Sequence, residues 1–376
     1  MEAVLPRNAR IDLLRGIAVA LVMLLHFSLT YRLPDSWLGD LITPKNVARL
    51  VMNGNYGVTM FFVISGFLIT TNSLRRWGSL QQVDRSAFYR RRAERILPPL
   101  IIAVVVILAL GLFDQPSFVN KQKGVVMEPG FWWIAIGSVL TFWHNVLMQA
   151  EGYFNYALNI YWSLSVEEVF YLAFPLLSSL LPKRIFLGLC ALLVIAGPIY
   201  RALHVQEELD YLYGYLACFD AIALGCLAAF LAPRVRPSFP WRSGITVLAA
   251  LALCIVYLSG IGGHEVFGFT GIAISTGVLL LTGTSEGAQS TVTGWRQMIR
   301  WPGAAIRWMG RHSYEIYLFH IIVLGVIRDQ LGRNDLQRAW KWPLLVGFFL
   351  LSCGVAAVLA RVVSSKWMRA LWIQKR

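Results

Sequence analysis

Eleven long apolar runs restrict the fold of this sequence more than any other feature. Each run has about the 20 residues that a helix needs to cross the hydrocarbon core of a bilayer, and a helix satisfies its own backbone hydrogen bonds in lipid. Hydrophobic residues make up 57% of the 376 positions and charged residues 14%, which excludes a disordered chain and disfavours a soluble enzyme. The sequence therefore predicts an all-α fold, a polytopic membrane helix bundle. The runs lie at 11–31, 56–74, 96–113, 131–148, 160–181, 185–202, 212–231, 243–260, 266–283, 309–327 and 342–362.

The distribution of basic residues predicts the topology, because loops rich in lysine and arginine stay in the cytoplasm. The segment 75–95 carries seven arginines, and 232–242 carries three arginines and no acidic residue. The tail from Arg361 onward has five basic residues and no acidic one. These three segments are predicted to be cytoplasmic. The segment 203–211 has three acidic residues and no lysine or arginine, which predicts that it lies outside.

Eleven crossings cannot satisfy all of these assignments, and the run 131–148 is the weakest candidate because it contains His144 and Asn145. We predict that it is re-entrant from the outer side or lies at the interface. Ten transmembrane spans then remain, with both termini in the cytoplasm. The alternative is an eleven-span protein that mildly violates the charge rule.

Other features of the sequence fit one membrane domain over 1–376, without internal repeats or a soluble appendage. The run within 1–31 is expected to be a retained span, since no A-x-A-like signal cleavage site follows it. The net charge of +14 is attributed to cytoplasmic loops, and no nucleic-acid partner is expected. All five cysteines lie in apolar stretches, so we expect buried thiols and no disulfide.

Ionisable residues inside the predicted spans are candidate functional groups, since charges are costly in a bilayer. Arg15 and His26 are eleven residues apart in the first run. On one helix they lie within about 20° of the same face and roughly 16 Å apart along the axis. A lone intramembrane histidine is most often a packed, hydrogen-bonded residue, but an arginine on the same face favours a functional role.

Three arginines, Arg91, Arg92 and Arg95, open the third span at its cytoplasmic end. Guanidinium groups bind phosphates in a bidentate geometry, so the cluster is a candidate anion site. The alternative is an ordinary cluster of positive charge on the cytoplasmic side, which is sufficient to explain Arg75, Arg76 and Arg85.

Two carboxylates, Glu167 and Glu168, lie near the outer end of the fourth span, at about the predicted depth of His26. A carboxylate beside a histidine is a common general-base arrangement, because the acid orients the ring and stabilises the imidazolium. The alternative is an interfacial glutamate among aromatic residues.

The stretch RHSYEIYLFH places Tyr314, Tyr317 and His320 at three-residue steps, so one helix face carries two hydroxyls and an imidazole. These groups are candidates for substrate binding or for a polar seam between helices. Asp220 lies at mid-span and could pair with an arginine that the sequence does not identify. Gly66, beside Ser65, is interpreted as a site of close helix approach.

These stretches together resemble the acyltransferase-3 family of integral-membrane O-acyltransferases. The ordered set is specific, although each motif alone is weak. The matching stretches are RIDLLRGIAVALVMLLHF, GVTMFFVISGFLIT, FYRRRAERILPP, YWSLSVEEVFYLAFP, FDAIALG and HSYEIYLFH, which run in this order from residue 10 to residue 320.

The resemblance implies a ten-span bundle in the bacterial cytoplasmic (inner) membrane. It implies cytoplasmic acyl-CoA, usually acetyl-CoA, as the acyl donor, and no metal. The implied acceptor is a carbohydrate or glycolipid at the outer face, and membrane lipid surrounds the protein. By position, Arg15, His26, Arg92, Arg95 and Glu167 are the implied essential residues, and Glu168 occupies a more variable place. Some relatives carry a fused esterase-like domain, which we do not expect here.

The mechanism expected from this resemblance places the phosphates of acetyl-CoA on Arg92, Arg95 and also Arg91. The pantetheine arm passes Arg15, and His26, oriented by Glu167, removes the acceptor proton. An acyl-His26 intermediate is the competing route. A secondary transporter of a proton-coupled solute or glycan unit is the alternative from another functional class, since buried acidic and histidine side chains also suit proton relays.

Overall fold

Helices dominate the computed structural model, which describes residues 8–234, 241–283 and 303–364. The strands formed by these residues are a short antiparallel pair, β1 (Lys121–Gln122) and β2 (Val125–Val126). A mostly helical fold follows from the apolar sequence, because every backbone group in lipid must find its partner within the protein. The predicted all-α class is confirmed. Residues 235–240 and 365–376 of two predicted cytoplasmic segments lie outside the described residues.

Sixteen α-helices are described, and several of the apolar runs correspond to one helix each. Their bounds are α1 Ala9–Tyr31, α2 Trp37–Ile42, α3 Pro44–Val51, α4 Asn55–Trp77, α5 Arg85–Leu112, α6 Phe131–Leu140, α7 His144–Glu151, α8 Trp162–Leu180, α9 Lys183–Leu203, α10 Glu208–Tyr213, α11 Tyr215–Leu231, α12 Trp241–Ser259, α13 Phe267–Gly283, α14 Gly303–Arg311, α15 Ser313–Gln330 and α16 Lys341–Ser364. Short 3₁₀ turns cover Leu33–Asp35, Leu80–Gln82, Asn159–Tyr161 and Arg338–Trp340.

Several helix bounds differ from the apolar runs. Helix α5 begins at Arg85 rather than near residue 96, because its arginine-rich start continues the helix out of the apolar part. The run 212–231 is divided at Gly214, which has extended backbone angles. The run 309–327 is divided at His312 between α14 and α15. An apolar run shows where a helix can lie in lipid, but the backbone angles at residues such as Gly214 determine where the helix ends.

The run 131–148 does not form one continuous helix. Helices α6 and α7 have 10 and 8 residues, and Phe142 between them has a left-handed φ of 63°. A crossing needs about 20 helical residues, so neither helix is long enough to span. This geometry agrees with the prediction that the segment does not cross the membrane as a helix.

Eight helical segments of the described chain are long and apolar enough to cross a membrane. Two further predicted spans correspond to α13, which has 17 residues, and α15, which has 18 residues including three charged ones. The total of ten spans therefore stays a prediction. Cys190, Cys218 and Cys226 are buried and Cys353 is half-buried, but Cys254 on α12 is exposed, so the expectation of five buried thiols is wrong for Cys254.

The described helices group into two compact units. Helix α1 passes from the first to the second after Val22, and α8 passes from the second to the first after Ser165. The interpretation of 1–376 as one domain stays a prediction. The first unit comprises Met1–Val22, Asn53–Asp84 and Val166–Arg311, and the second comprises Met23–Met52, Arg85–Ser165 and His312–Arg376.

Close approach of α4 and α11 organises the first unit. A Cβ atom on Gly66 would overlap the carbonyl oxygen of Ile222, and one on Gly225 would overlap the carbonyl oxygen of Val63. Small residues on both helices therefore let the two backbones touch, as is common between helices in membranes. The structural interpretation of Gly66 is confirmed.

A buried ion pair joins three helices of the same unit. Arg201 on α9 donates to the carboxylate of Asp220 on α11 at 2.7 Å and to Thr270 Oγ1 on α13 at 2.8 Å. Arg201 also donates to the carbonyl oxygens of Val266, at 3.0 Å, and Ala217. The side chains of Arg201 and Asp220 are 0% and 4% exposed. The prediction that Asp220 pairs with an arginine is confirmed, and that arginine is Arg201.

In the second unit, the C-terminal end of α15 is tied to two neighbouring segments. Ser117 donates through its hydroxyl to Asp329 at 2.6 Å and through its backbone N–H at 3.1 Å. Tyr31, the last residue of α1, donates to the carbonyl oxygen of Leu331 at 2.9 Å. These bonds fix the position of α15 beside α1, which decides where their histidines meet.

The buried ion pair generates a prediction on stability. Asp220→Ala is expected to lower the free energy of unfolding by about 3–5 kcal/mol, because the buried guanidinium of Arg201 loses its charged partner. Thermal unfolding of the detergent-purified protein, followed by tryptophan fluorescence, measures the change. The matched control is Arg338→Ala, whose ion pair with Asp40 is 61% and 57% exposed and is expected to contribute less than about 1 kcal/mol. Equal shifts for the two variants would contradict this assignment.

Candidate active site

Two histidines form the centre of the candidate site in the second unit. His26 Nδ1 on α1 and His320 Nε2 on α15 are 3.0 Å apart, and the ring centroids are 5.0 Å apart. His320 is fully buried and His26 is half-buried. The sequence assigned His26 to catalysis and His320 to substrate binding, and the structure brings the two rings into direct contact.

Helix α1 carries both Arg15 and His26 and runs without interruption from Ala9 to Tyr31. The predicted helical offset of roughly 16 Å along the axis and about 20° in face therefore holds. Both side chains are half-buried. A cation and an imidazole thus lie along one side of a single rigid element.

Two hydroxyls, of Thr30 and Tyr156, support the backbone carbonyl of His26. Thr30 Oγ1 donates to the carbonyl oxygen of His26 at 3.0 Å and lies 2.8 Å from the hydroxyl of Tyr156, which therefore donates to Thr30. The guanidinium of Arg328 lies 4.6 Å from the ring centroid of Tyr156. Burial raises the pKa of the Tyr156 phenol, which keeps this donor neutral. No motif marks Tyr156 in the sequence, whereas Thr30 lies one turn after His26.

The hydroxyls of Tyr314 and Tyr317 contact neighbouring elements of the second unit. Tyr314 donates to the carbonyl oxygen of Ile96 on α5 at 2.9 Å. The Tyr317 hydroxyl lies 2.5 Å from Ser163 Oγ and 3.1 Å from the carbonyl oxygen of Ile160. These bonds match the polar-seam interpretation of this helix face, and a role of either tyrosine in substrate binding stays a prediction.

The candidate carboxylate Glu167 lies in the first unit and is half-buried, whereas the neighbouring Glu168 is 4% exposed. Ser65 on α4 donates to Glu167 Oε1. Tyr171, one turn after Glu167 on α8, donates to Ser65 Oγ at 2.7 Å. The two hydroxyls therefore form a donor chain that ends on the carboxylate. From the sequence, Ser65 is interpreted only as a neighbour of Gly66 at a site of helix packing.

His26 belongs to the second unit and Glu167 to the first. The orientation of His26 by Glu167 stays a prediction, as does the binding of substrate by Glu168.

The arginine cluster lies on the first turns of α5, in the second unit. Arg91 and Arg92 are half-buried and Arg95 is exposed. Their one-turn spacing holds because the helix is continuous through them. Pro98 and Pro99 follow within the same helix and lack the N–H groups that would bond the carbonyls one turn earlier.

Groups of three or more histidine, cysteine or acidic side chains able to hold a metal ion are absent from the described part of the chain. The candidate reactive and binding groups are the two histidines, the Glu167 carboxylate with its hydroxyl donors, and the arginines of α5. Such a set can transfer protons and bind phosphate groups.

Comparisons with known proteins find similarity to O-acetyltransferases. The chain is 26% identical over 356 residues to the peptidoglycan O-acetyltransferase OatA of Listeria monocytogenes, covering 88% of this chain and 51% of that protein. It is 25% identical over 305 residues to the O-acetyltransferase OatA of Staphylococcus aureus, covering 75% and 48%. A putative peptidoglycan O-acetyltransferase of Bacillus subtilis, YrhL, is 26% identical over 350 residues, covering 86% and 50%.

The chain thus spans about half the length of the curated relatives it matches. No solved structure matches it. The sequence profile of the acyltransferase domain family matches residues 8–361, almost the whole chain, and its apolar helices make it a multi-pass membrane protein. The chain belongs to this family of membrane acyltransferases, and its relatives are O-acetyltransferases of the cell wall.

Proposed function

We propose that this protein transfers an acetyl group from cytoplasmic acetyl-CoA to a hydroxyl of a cell-envelope glycan at the outer face of the cytoplasmic membrane. The observation that carries the proposal is the half-buried imidazole of His26, which lies on the same helix as Arg15. This imidazole contacts a second histidine, His320 on α15. The relatives' names, which specify peptidoglycan O-acetylation, support a cell-wall glycan as the acceptor class.

The acyl donor binds through the arginines in this proposal. Arg91, Arg92 and Arg95 lie within about one turn of each other on α5, so their guanidinium groups can bind the phosphates of CoA together. The axial distance of roughly 16 Å between Arg15 and His26 is comparable to an extended pantetheine arm. This length lets the thioester reach the imidazole while the nucleotide stays at the arginines.

The reaction requires two proton transfers, one to His26 and one from it. His26 removes the proton of the acceptor hydroxyl as its oxygen attacks the thioester carbonyl carbon. The carbon–sulfur bond then breaks, and the CoA thiolate takes the proton from the imidazolium. The products are an acetyl ester and CoA. The competing route forms an acetyl-His26 intermediate first, and trapping of an acetylated enzyme without acceptor separates the two.

Glu167 supplies negative charge near the outer end of α8 in this scheme and stabilises the imidazolium of His26. Ser65, itself a hydrogen-bond acceptor for Tyr171, donates to the Glu167 carboxylate and holds it in place. The hydroxyl chain therefore has a functional interpretation that the packing of α4 alone does not require.

His26→Ala is expected to lower acetyl transfer by at least about 10²-fold, since positioned general bases contribute about 10²–10⁴-fold. Membrane vesicles given radiolabelled acetyl-CoA and a peptidoglycan fragment report the rate, and immunoblotting reports protein abundance. His264→Ala, at an exposed histidine outside the site, is the matched control. Near-normal transfer by His26→Ala would refute the proposed chemistry.

Arg92→Ala and Arg95→Ala are expected to raise the KM for acetyl-CoA about tenfold or more with a smaller effect on kcat, because a hydrogen bond to a charged group contributes about 1.5–3 kcal/mol. Calorimetric titration with CoA measures the same loss directly. Arg85→Ala, on the first turn of the same helix and exposed, is the control. An equal loss for Arg85→Ala would indicate general electrostatic attraction rather than a phosphate site.

Ser65→Ala is expected to lower kcat several-fold and to leave the KM for acetyl-CoA unchanged, because Glu167 loses a charge-assisted hydrogen bond. Tyr171→Phe should have a smaller effect and add little to Ser65→Ala, since Tyr171 acts through Ser65. A double-mutant cycle on kcat measures this coupling. Ser73→Ala, at another buried serine of α4, is the control, and additive effects would argue against the chain.

A further inference from the structure

Both ring nitrogens of the buried His320 have partners. Its Nδ1 lies 2.7 Å from the carbonyl oxygen of Tyr317 and 3.2 Å from that of Ile316, one turn earlier on α15. Its Nε2 lies 3.0 Å from His26 Nδ1. Because a carbonyl oxygen can only accept a hydrogen bond, Nδ1 of His320 must carry a proton.

The protonation of His320 fixes that of its neighbour. A neutral imidazole carries one N–H and one acceptor nitrogen, so Nε2 of His320 accepts. The ring is fully buried, and its nitrogen neighbours are two carbonyl oxygens and another imidazole rather than a carboxylate. A positive charge there would be poorly compensated, which favours the neutral form.

The atom facing this acceptor must be a donor, so His26 carries its proton on Nδ1. In the neutral ring of His26 the second nitrogen, Nε2, is then the unprotonated one, and it is not the nitrogen that faces His320. Backbone carbonyls of α15 therefore select, through one intervening imidazole, which nitrogen of His26 is basic.

We infer that His320 is a positioning residue that holds His26 in the Nδ1–H tautomer, so that Nε2 is the atom that removes the acceptor proton or attacks the thioester. This inference rests on the proposed function of His26. It replaces the sequence-based assignment of His320 to substrate binding, since the buried ring has no free nitrogen for a ligand. When His26 becomes cationic, its Nδ1–H still donates to His320, so the same bond stabilises both states of the reaction.

Two substitutions of His320 separate hydrogen bonding from packing. His320→Ala removes the acceptor and is expected to lower kcat about 10²-fold, within the range of general-base contributions, with the KM for acetyl-CoA changed less than about twofold. The amide of His320→Gln can place an oxygen near the former Nε2 and is expected to recover at least about tenfold of the loss. Wild-type kcat in His320→Ala, or equal activity of the two variants, would overturn the inference.

A spectroscopic measurement tests the tautomer without an activity assay. The full-length protein, labelled with ¹⁵N-histidine and placed in nanodiscs, gives ring-nitrogen shifts at neutral pH, and the signals absent from His26→Gln identify His26. The expected result is a protonated Nδ1 and an unprotonated Nε2 in the wild type, with a tautomer mixture in His320→Ala. A protonated Nε2 in wild-type His26 would contradict the inference. This wild-type result does not depend on the folding of any His320 variant.

The two proposals fail in different ways. Normal transfer by His26→Ala removes the proposed function, whatever the tautomer. An inactive His26→Ala variant combined with normal kcat in His320→Ala removes only the positioning role.

Discussion

Ionisable side chains buried within the apolar helices of this protein need partners inside the protein, because lipid supplies none. The rest of the structure depends on this constraint. It accounts for Arg201, whose guanidinium meets a carboxylate, a hydroxyl and two backbone carbonyls. It also accounts for His320, whose ring bonds to the carbonyls of its own helix and to His26. The same requirement that stabilises the fold therefore fixes the protonation of the candidate catalytic group.

The degree of burial separates the structural ion pair from the candidate catalytic groups. Arg201 and Asp220 are almost completely buried and bond to each other and to neighbouring helices, so they leave no room for a ligand. His26, Arg15 and Glu167 are only half-buried. Partial exposure suits a reactive group, because a substrate cannot contact a side chain that is completely buried.

Features that depend on local spacing could be predicted from the sequence, and features that depend on tertiary pairing could not. The apolar runs predict most helices, and the eleven-residue spacing of Arg15 and His26 predicts their common face because both lie on one continuous helix. The partner of His26 is 294 residues away, and the donor to Glu167 is 102 residues away. Nothing in a single sequence specifies which helices meet. The break at Phe142 was also hidden, because its left-handed backbone is unusual for a phenylalanine.

The choice of a second histidine beside His26 has its own physical reason. In a water-exposed site a carboxylate commonly orients the base, but an anion at the fully buried position of His320 would carry a large desolvation penalty in the resting state, before His26 is charged. A neutral imidazole supplies the same acceptor atom without a permanent charge. The carboxylate of Glu167, in contrast, occupies a half-buried position and accepts a hydrogen bond from a hydroxyl. The buried histidine can thus set the geometry of the base without adding a permanent charge to a buried position.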